Sequence, residues 1–277
     1  MITGHTSFIA HIGYPTSTFK APMIYNPYFE KHGIDCIVVP MGCKAEDFTA
    51  FLPAIFSLQN IRGALITMPH KVTTVGLLDE VSTAAKIAGA CNAVRRREDG
   101  KLVGDMFDGE GFVRGLARKG CVFRGARVLV VGSGGVGSAI AASLAGAGIT
   151  AIALFDVNTA SAEALGARLS AHYPALRVST GSNDPDGFDI VVNATPLGMN
   201  AGDPMPLDVS RLPASAFVGE VVLKAETTAF LDAAIRRGCR VQVGIDMLFE
   251  QIPAYLEFFG YPTTTPDELR AVATITY

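Results

Sequence analysis

The sequence predicts the α/β class, with the chain organised as two α/β domains. Short β-rich runs alternate with longer helical patterns from about residue 127 to 244, as βαβ units on a parallel sheet do. A second alternation fills the first hundred residues, and a chain of 277 residues suits two domains better than one. The expected boundaries are 1–108, 109–245, and 246–277 for C-terminal helices that pack back on the first domain.

In the first domain, strand-like runs at 7–13, 34–40 and 63–68 each precede a helical pattern. The first leads into "YPTSTFKAP" at 14–22, whose three hydroxyls and one ammonium between prolines suit either an anion grip or a solvated turn. The third ends in Thr67-Met68-Pro69-His70-Lys71, which puts Lys71 at the carboxyl end of a buried strand, where α/β clefts lie. Histidine titrates in the range neutral acid–base work needs, but His70 points away from Lys71 if the strand continues. The turns at 89–93 ("GACNA") and 105–109 ("DMFDG") offer an amide and two carboxylates, and a turn asparagine and a capping aspartate explain each taken alone. Residues 93–97 and 101–104 flank Asp99-Gly100 as a β-hairpin, and 109–119 reads as a helix joining the domains.

The second domain opens with a buried strand at 127–131 ("RVLVV") that runs into Gly132-Ser133-Gly134-Gly135-Val136-Gly137 and a small-residue helix at 139–147. A G-x-G-x-x-G run between strand and helix lets backbone N–H groups and the positive helix end face a pyrophosphate, the fingerprint of a Rossmann domain. The next strand, 151–155, ends at Asp156, placed to accept hydrogen bonds from an adenosine ribose diol. A 2′-phosphate there would be repelled by roughly 3 kcal/mol per unit charge at about 5 Å and an effective dielectric near 20. With no arginine in Asp156-Val157-Asn158, NAD is expected in preference to NADP. A helix at 159–173, strands at 189–193, 217–222 and 240–243, and a helix at 231–237 complete the domain. Residues 246–259 form a long apolar helix, and Thr265-Pro266-Asp267-Glu268 carries the cap, proline and acid that start another.

A net charge of −3, with Arg95-Arg96-Arg97 the one dense basic run, argues against nucleic acid or anionic lipid and for small-molecule partners. No basic segment followed by an apolar one opens the chain, and no apolar run approaches the roughly 20 residues of a membrane span, so a cytoplasmic protein is expected. Five cysteines, at 36, 43, 91, 121 and 239, make no CxxC pair and no zinc spacing; they read as reduced, mostly buried thiols, with no metal site.

In order along the chain, "GYP…P…YN", "ITMPHK", "AGACNAV", "GDMFDG", "VVGSGGVGSA", "NATPLGM" and "VGIDMLFEQ" resemble the shikimate/quinate dehydrogenase family over nearly the whole length. The resemblance implies a two-domain enzyme that moves hydride between nicotinamide and a ring carbon bearing a hydroxyl, its substrate held in a cleft between the domains. It carries the catalytic lysine onto Lys71, the partner aspartate onto Asp108, and substrate contacts onto Asn92 and Gln251. Thr195, Leu197 and Met199, with Gly244 and Met247, would border the cofactor. The chemistry independently needs a proton carrier, because a hydroxyl proton leaves as hydride departs. An unperturbed lysine, near about 10.4, is a poor neutral base, so two roles stay open: Lys71 as the shuttle itself, or as a cationic donor with Asp108 assisting.

The resemblance also breaks at substrate-facing positions. Two serines that hold the substrate carboxylate in the family fall on Phe19 and Ala21, an amide and a hydroxyl on Met106 and Phe107, and a tyrosine on Leu223. Losing two charged hydrogen bonds of about 1.5–3 kcal/mol each weakens a carboxylate grip by orders of magnitude unless Thr18 or Lys20 compensates. A dehydrogenase with an altered, shikimate-like cyclic hydroxy-acid substrate is therefore expected, as a monomer or homodimer. The alternatives are a shikimate or quinate dehydrogenase with a rebuilt carboxylate site, and a non-catalytic NAD-binding regulator, which would need neither Lys71 nor Asp108.

Overall fold

Apolar alternation along the first strand sets the first sheet: Ala10 and Ile12 of β1 (Ser7–Gly13) join Phe48 and Leu52 of α2 (Ala45–Ile55) in one core cluster, and Ile9 and His11 turn to the opposite face. The computed structural model describes residues 2–223 and 227–275. It divides into two units, Met1–Phe107 with Ile252–Tyr277, and Asp108–Gln251.

The first unit holds β1, β2 (Cys36–Gly42), β3 (Ile61–Ile66), β4 (Glu80–Val81), β5 (Ala93–Arg96) and β6 (Leu102–Asp105) in the order β2-β1-β3-β5-β6-β4. Strands β1, β2 and β3 are parallel, and β5 and β6 form the antiparallel hairpin around Asp99-Gly100. Helix α1 (Pro22–Lys31) follows the first loop. Lys71 does not end a strand as expected: β3 stops at Ile66, and Lys71 opens the short helix α3 (Lys71–Val75), His70 being its cap position. Helix α4 (Thr83–Ala88) ends on Gly89 in the left-handed region, φ +64°, which turns the chain toward Asn92.

The second unit is a doubly wound sheet of parallel strands: β7 (Arg127–Val131), β8 (Ala151–Phe155), β9 (Arg177–Thr180), β10 (Ile190–Asn193), β11 (Phe217–Glu220) and β12 (Arg240–Gln242), ordered β12-β11-β10-β7-β8-β9. The order reverses between β7 and β10, the crevice at which such sheets take ligands. Helix α5 (Asp108–Arg118) opens the unit, and α6 (Gly135–Gly146), α7 (Thr159–His172) and α8 (Ala229–Arg236) cross over between strands. Helix α9 (Gly244–Phe258) starts before the expected boundary at 245, and its residues as far as Gln251 group with this unit. Helix α10 (Pro266–Val272) is capped by Thr265, whose hydroxyl accepts the Glu268 N–H at 3.2 Å.

Candidate active site

The loop after β1 turns its apolar residues inward. Phe19 stacks on His11, and Phe19 and Ala21 are both buried. Thr18 is exposed and donates to the Pro15 carbonyl at 3.3 Å, and Lys20 is half-buried. His11 is buried, its Nδ1 without a partner among the described residues; burial first, and the Lys71 ammonium second, push it down to about 3, so its ring is neutral at pH 7.

His70 belongs to the core. Its Nε2 lies 2.8 Å from the Cys43 carbonyl, and its ring lies parallel to Phe48 at 3.9 Å, so the turn 67–70 is anchored from below while Lys71 stays half-buried at the start of α3. The Cys91 N–H donates to the Lys71 carbonyl at 2.8 Å, which ties α3 to the turn carrying Asn92. Asn92 is fully buried: its Oδ1 accepts the Phe107 N–H at 2.9 Å, and its Nδ2 has no partner among the described residues. A buried donor without an acceptor costs about 1–3 kcal/mol, which a substrate oxygen would recover. Cys91 beside it is pushed up to about 12 by burial, so the thiol stays protonated.

In the second unit Asp108 begins α5 and is buried, and Gln251 on α9 is buried with Oε1 unpartnered among the described residues. A Cβ on Gly111, one turn past Asp108, would sit 2.7 Å from the Gln251 Cβ, so glycine there is what lets α5 and α9 approach.

The residues after β7 fit a dinucleotide. Gly132 has φ +104°, and a Cβ there would lie 2.7 Å from the Ala194 carbonyl. Gly134, the cap of α6, is exposed with open space over it, Gly135 and Val136 are half-exposed at the start of the helix, and a Cβ on Gly137 would strike the Gly132 carbonyl. Ser133 is buried, and its Oγ has no partner among the described residues. Open backbone, a helix N-terminus and an unmet hydroxyl together suit a pyrophosphate. Asp156 accepts the Ser133 N–H at 2.6 Å through Oδ2 and the Asn158 N–H at 2.9 Å through Oδ1.

The loop after β10 faces the same turn. Asn193 Oδ1 accepts both the Thr195 hydroxyl (2.6 Å) and the Thr195 N–H (3.1 Å), its Nδ2 donates to the Leu197 carbonyl (3.0 Å), and the Leu197 N–H donates to Thr195 Oγ1 (3.1 Å). The Thr195 proton is therefore turned inward. Met199 is half-buried in this loop, and Gly244 and Met247 are buried at the start of α9. A Cβ on Gly244 would strike the Val222 carbonyl. Sequence reasoning missed Glu220, buried at the end of β11; the signal was an acid set inside the apolar run 216–223.

Comparison with known proteins decides the family. A family described as the shikimate dehydrogenase substrate binding domain matches residues 11–94, and the ThiF family matches 122–171. A protein of Rubrobacter xylanophilus named shikimate dehydrogenase (NADP(+)) is 36% identical over 90% of this chain and 89% of its own. The chain belongs to the shikimate/quinate dehydrogenase family. It is thus an oxidoreductase acting on CH–OH groups. Among solved structures of similar fold, a quinate dehydrogenase from Corynebacterium glutamicum in complex with NAD is 29% identical, with a TM-score of 0.85 over 96% of this chain and 98% of that one. A 5-ketofructose reductase of Gluconobacter sp. strain CHM43 is 25% identical, with a TM-score of 0.86 over 98% of both.

The family corrects the expected cofactor. The R. xylanophilus dehydrogenase and further relatives, from Geobacter metallireducens and Rhodospirillum rubrum among others, are named for NADP(+), which overturns the preference for NAD drawn from Asp156. The structure also shows both Asp156 carboxylate oxygens engaged by the chain's own Ser133 and Asn158 N–H groups, so part of the accepting capacity expected for a ribose diol is spent within the fold. Among the described residues no helix is long and apolar enough to cross a membrane.

Proposed function

We propose that this dehydrogenase uses NADP to interconvert a ring hydroxyl and a ketone on a shikimate-like cyclic hydroxy compound, and that shikimate is not its best substrate. The observation that carries this is Phe19: where the family resemblance implies hydroxyls for a carboxylate, this chain presents a buried ring stacked on a neutral imidazole, with Ala21 two residues on. A 5-ketofructose reductase of the same fold, acting by its name on a ketose, supports a family scaffold that turns over substrates other than shikimate.

Gly132, Gly134, Gly135, Val136 and Gly137 would hold the pyrophosphate, and the loop of Thr195 and Met199, with Gly244 and Met247, would border the nicotinamide. Bound there, the dinucleotide supplies or accepts the hydride. Lys71 takes the hydroxyl proton as the alcohol is oxidised and returns it on reduction, with Asp108 assisting. The unpartnered Asn92 Nδ2 supports a hydrogen bond to the reacting or a neighbouring oxygen, and the Gln251 amide supports a second.

Lys20, half-buried in the first loop, favours one other reading, a shikimate or quinate dehydrogenase whose carboxylate is met by an ammonium and by Thr18. Initial rates of NADP reduction with shikimate, quinate and a panel of cyclic hydroxy compounds separate the two: a best substrate other than shikimate or quinate supports the first, and shikimate or quinate as the best supports the second.

A further inference from the structure

We propose that Glu220, acting through Asn193, is a positioning residue that sets the loop at 194–199 against the dinucleotide-binding turn. This rests on the reading that the second unit binds NADP.

The loop follows β10, across the switch point from β7, and it touches the Gly132 turn at Ala194. Its shape depends on which way the Asn193 amide points. With Oδ1 toward Thr195, the amide accepts two hydrogen bonds from that residue, and Nδ2 reaches the Leu197 carbonyl. Turned over, Nδ2 would face the Thr195 N–H donor to donor, and Oδ1 would face the Leu197 carbonyl acceptor to acceptor. Glu220 decides between the two. Its side chain is buried, its carboxylate accepts the Thr228 hydroxyl at 2.8 Å, and Asn193 is its register partner on the neighbouring strand β10, with a side chain that favours the ionised carboxylate. An ionised carboxylate only accepts, so it admits Asn193 by the Nδ2 end alone, the orientation that holds the loop. A protonated Glu220 carries a donor of its own, and that selection lapses.

Burial pushes the Glu220 carboxyl up to about 7, so both forms are populated at neutral pH. Among the described residues, the charged group that acts on it is Asp232 on α8, which raises it further. Cofactor affinity therefore rises as pH rises through the Glu220 titration.

The test is fluorescence titration of the full chain with NADPH from about pH 6 to about pH 8.5. Wild type is expected to bind more tightly above about pH 7 than below it. Glu220→Gln, which keeps a donor at that position at every pH, is expected to bind about tenfold more weakly at the alkaline end and to lose the enzyme's share of the pH step. The difference between the two proteins cancels the titration of the 2′-phosphate, which both share. Thr228→Val removes the other donor to Glu220 and the cap of α8 but leaves Asn193 in place; it is expected to keep tight alkaline binding, with the step displaced to higher pH. Wild-type affinity and pH step in Glu220→Gln would overturn the proposal, as would a Thr228→Val protein that loses affinity like Glu220→Gln or shows no displacement. If Glu220→Gln does not fold, the Thr228→Val displacement decides alone. No NADPH binding by folded wild type would instead overturn the cofactor reading beneath it.

Discussion

Phe19 lies nearly face to face with His11, their ring centroids 4.0 Å apart and their planes 25° from parallel. The pair turns the end of β1 into an uncharged wall, because burial and the neighbouring Lys71 keep the imidazole neutral. Phe19→Ser with Ala21→Ser restores two hydroxyls at that wall. At about 1.5–3 kcal/mol for each hydrogen bond to a carboxylate, kcat/KM for shikimate is expected to rise at least about tenfold. Steady-state kinetics check this, with the KM for NADP unchanged.

Lys71→Ala is expected to lower turnover by about 100- to 10,000-fold, the usual weight of a positioned proton carrier, with cofactor affinity retained. Asn92→Asp keeps the acceptor that holds the Phe107 N–H and removes the unpartnered donor. A rise in substrate KM of about fivefold or more, with a melting temperature below that of wild type because the carboxyl is fully buried, is the expected result. Turnover and cofactor binding measured on the same preparations separate lost chemistry from lost fold.

His11 and Glu220 give the stability curve opposite slopes. A histidine held near 3 in the fold but near 6.5 unfolded contributes stability that is present above about pH 6.5 and is lost as pH falls toward 3, about 2 kcal/mol of it by pH 5. Glu220, raised to about 7 from 4.5, runs the other way: the folded state holds the proton more tightly, so stability falls as pH rises through that window. His11→Phe keeps the ring stack and is expected to flatten the acid limb. Calorimetric melting between pH 4 and 8 reads both slopes.

His70 is expected to matter for stability alone. Its bond to the Cys43 carbonyl and its stack on Phe48 are buried, so His70→Leu leaves that carbonyl unmet and costs about 1–3 kcal/mol. Denaturant unfolding measures the loss, and the pH profile of kcat in the folded variant is expected to match wild type.

The sequence made some of this legible and hid the rest for physical reasons. The strand at 127–131, the glycine turn and the strand at 151–155 are each continuous in sequence, so apolar runs and a helix start identify them. Strand β9, four residues long and mostly exposed, carries no such run and went unread, as did the two residues of β4. The sequence puts Lys71 at a strand end because the strand-like run at 63–68 leads into it, and only the fold shows β3 stopping at Ile66 and α3 starting at Lys71. Asp156 misled for a different reason: one of the N–H groups on its carboxylate belongs to Ser133, 23 residues away, and no local pattern records that contact. The contact between Asn193, Glu220 and Thr228 joins two strand ends to a helix cap, and an acid within an apolar run is its trace in the sequence.

The most direct measurement is the ratio of kcat/KM with NADP for shikimate or quinate, whichever is the better, to that for the best member of a panel of other cyclic hydroxy compounds. A panel member better than both by about tenfold or more, the smallest loss expected from missing carboxylate contacts, is the predicted result. Shikimate or quinate as the best substrate, at an efficiency typical of enzymes acting on their own substrates, would contradict it.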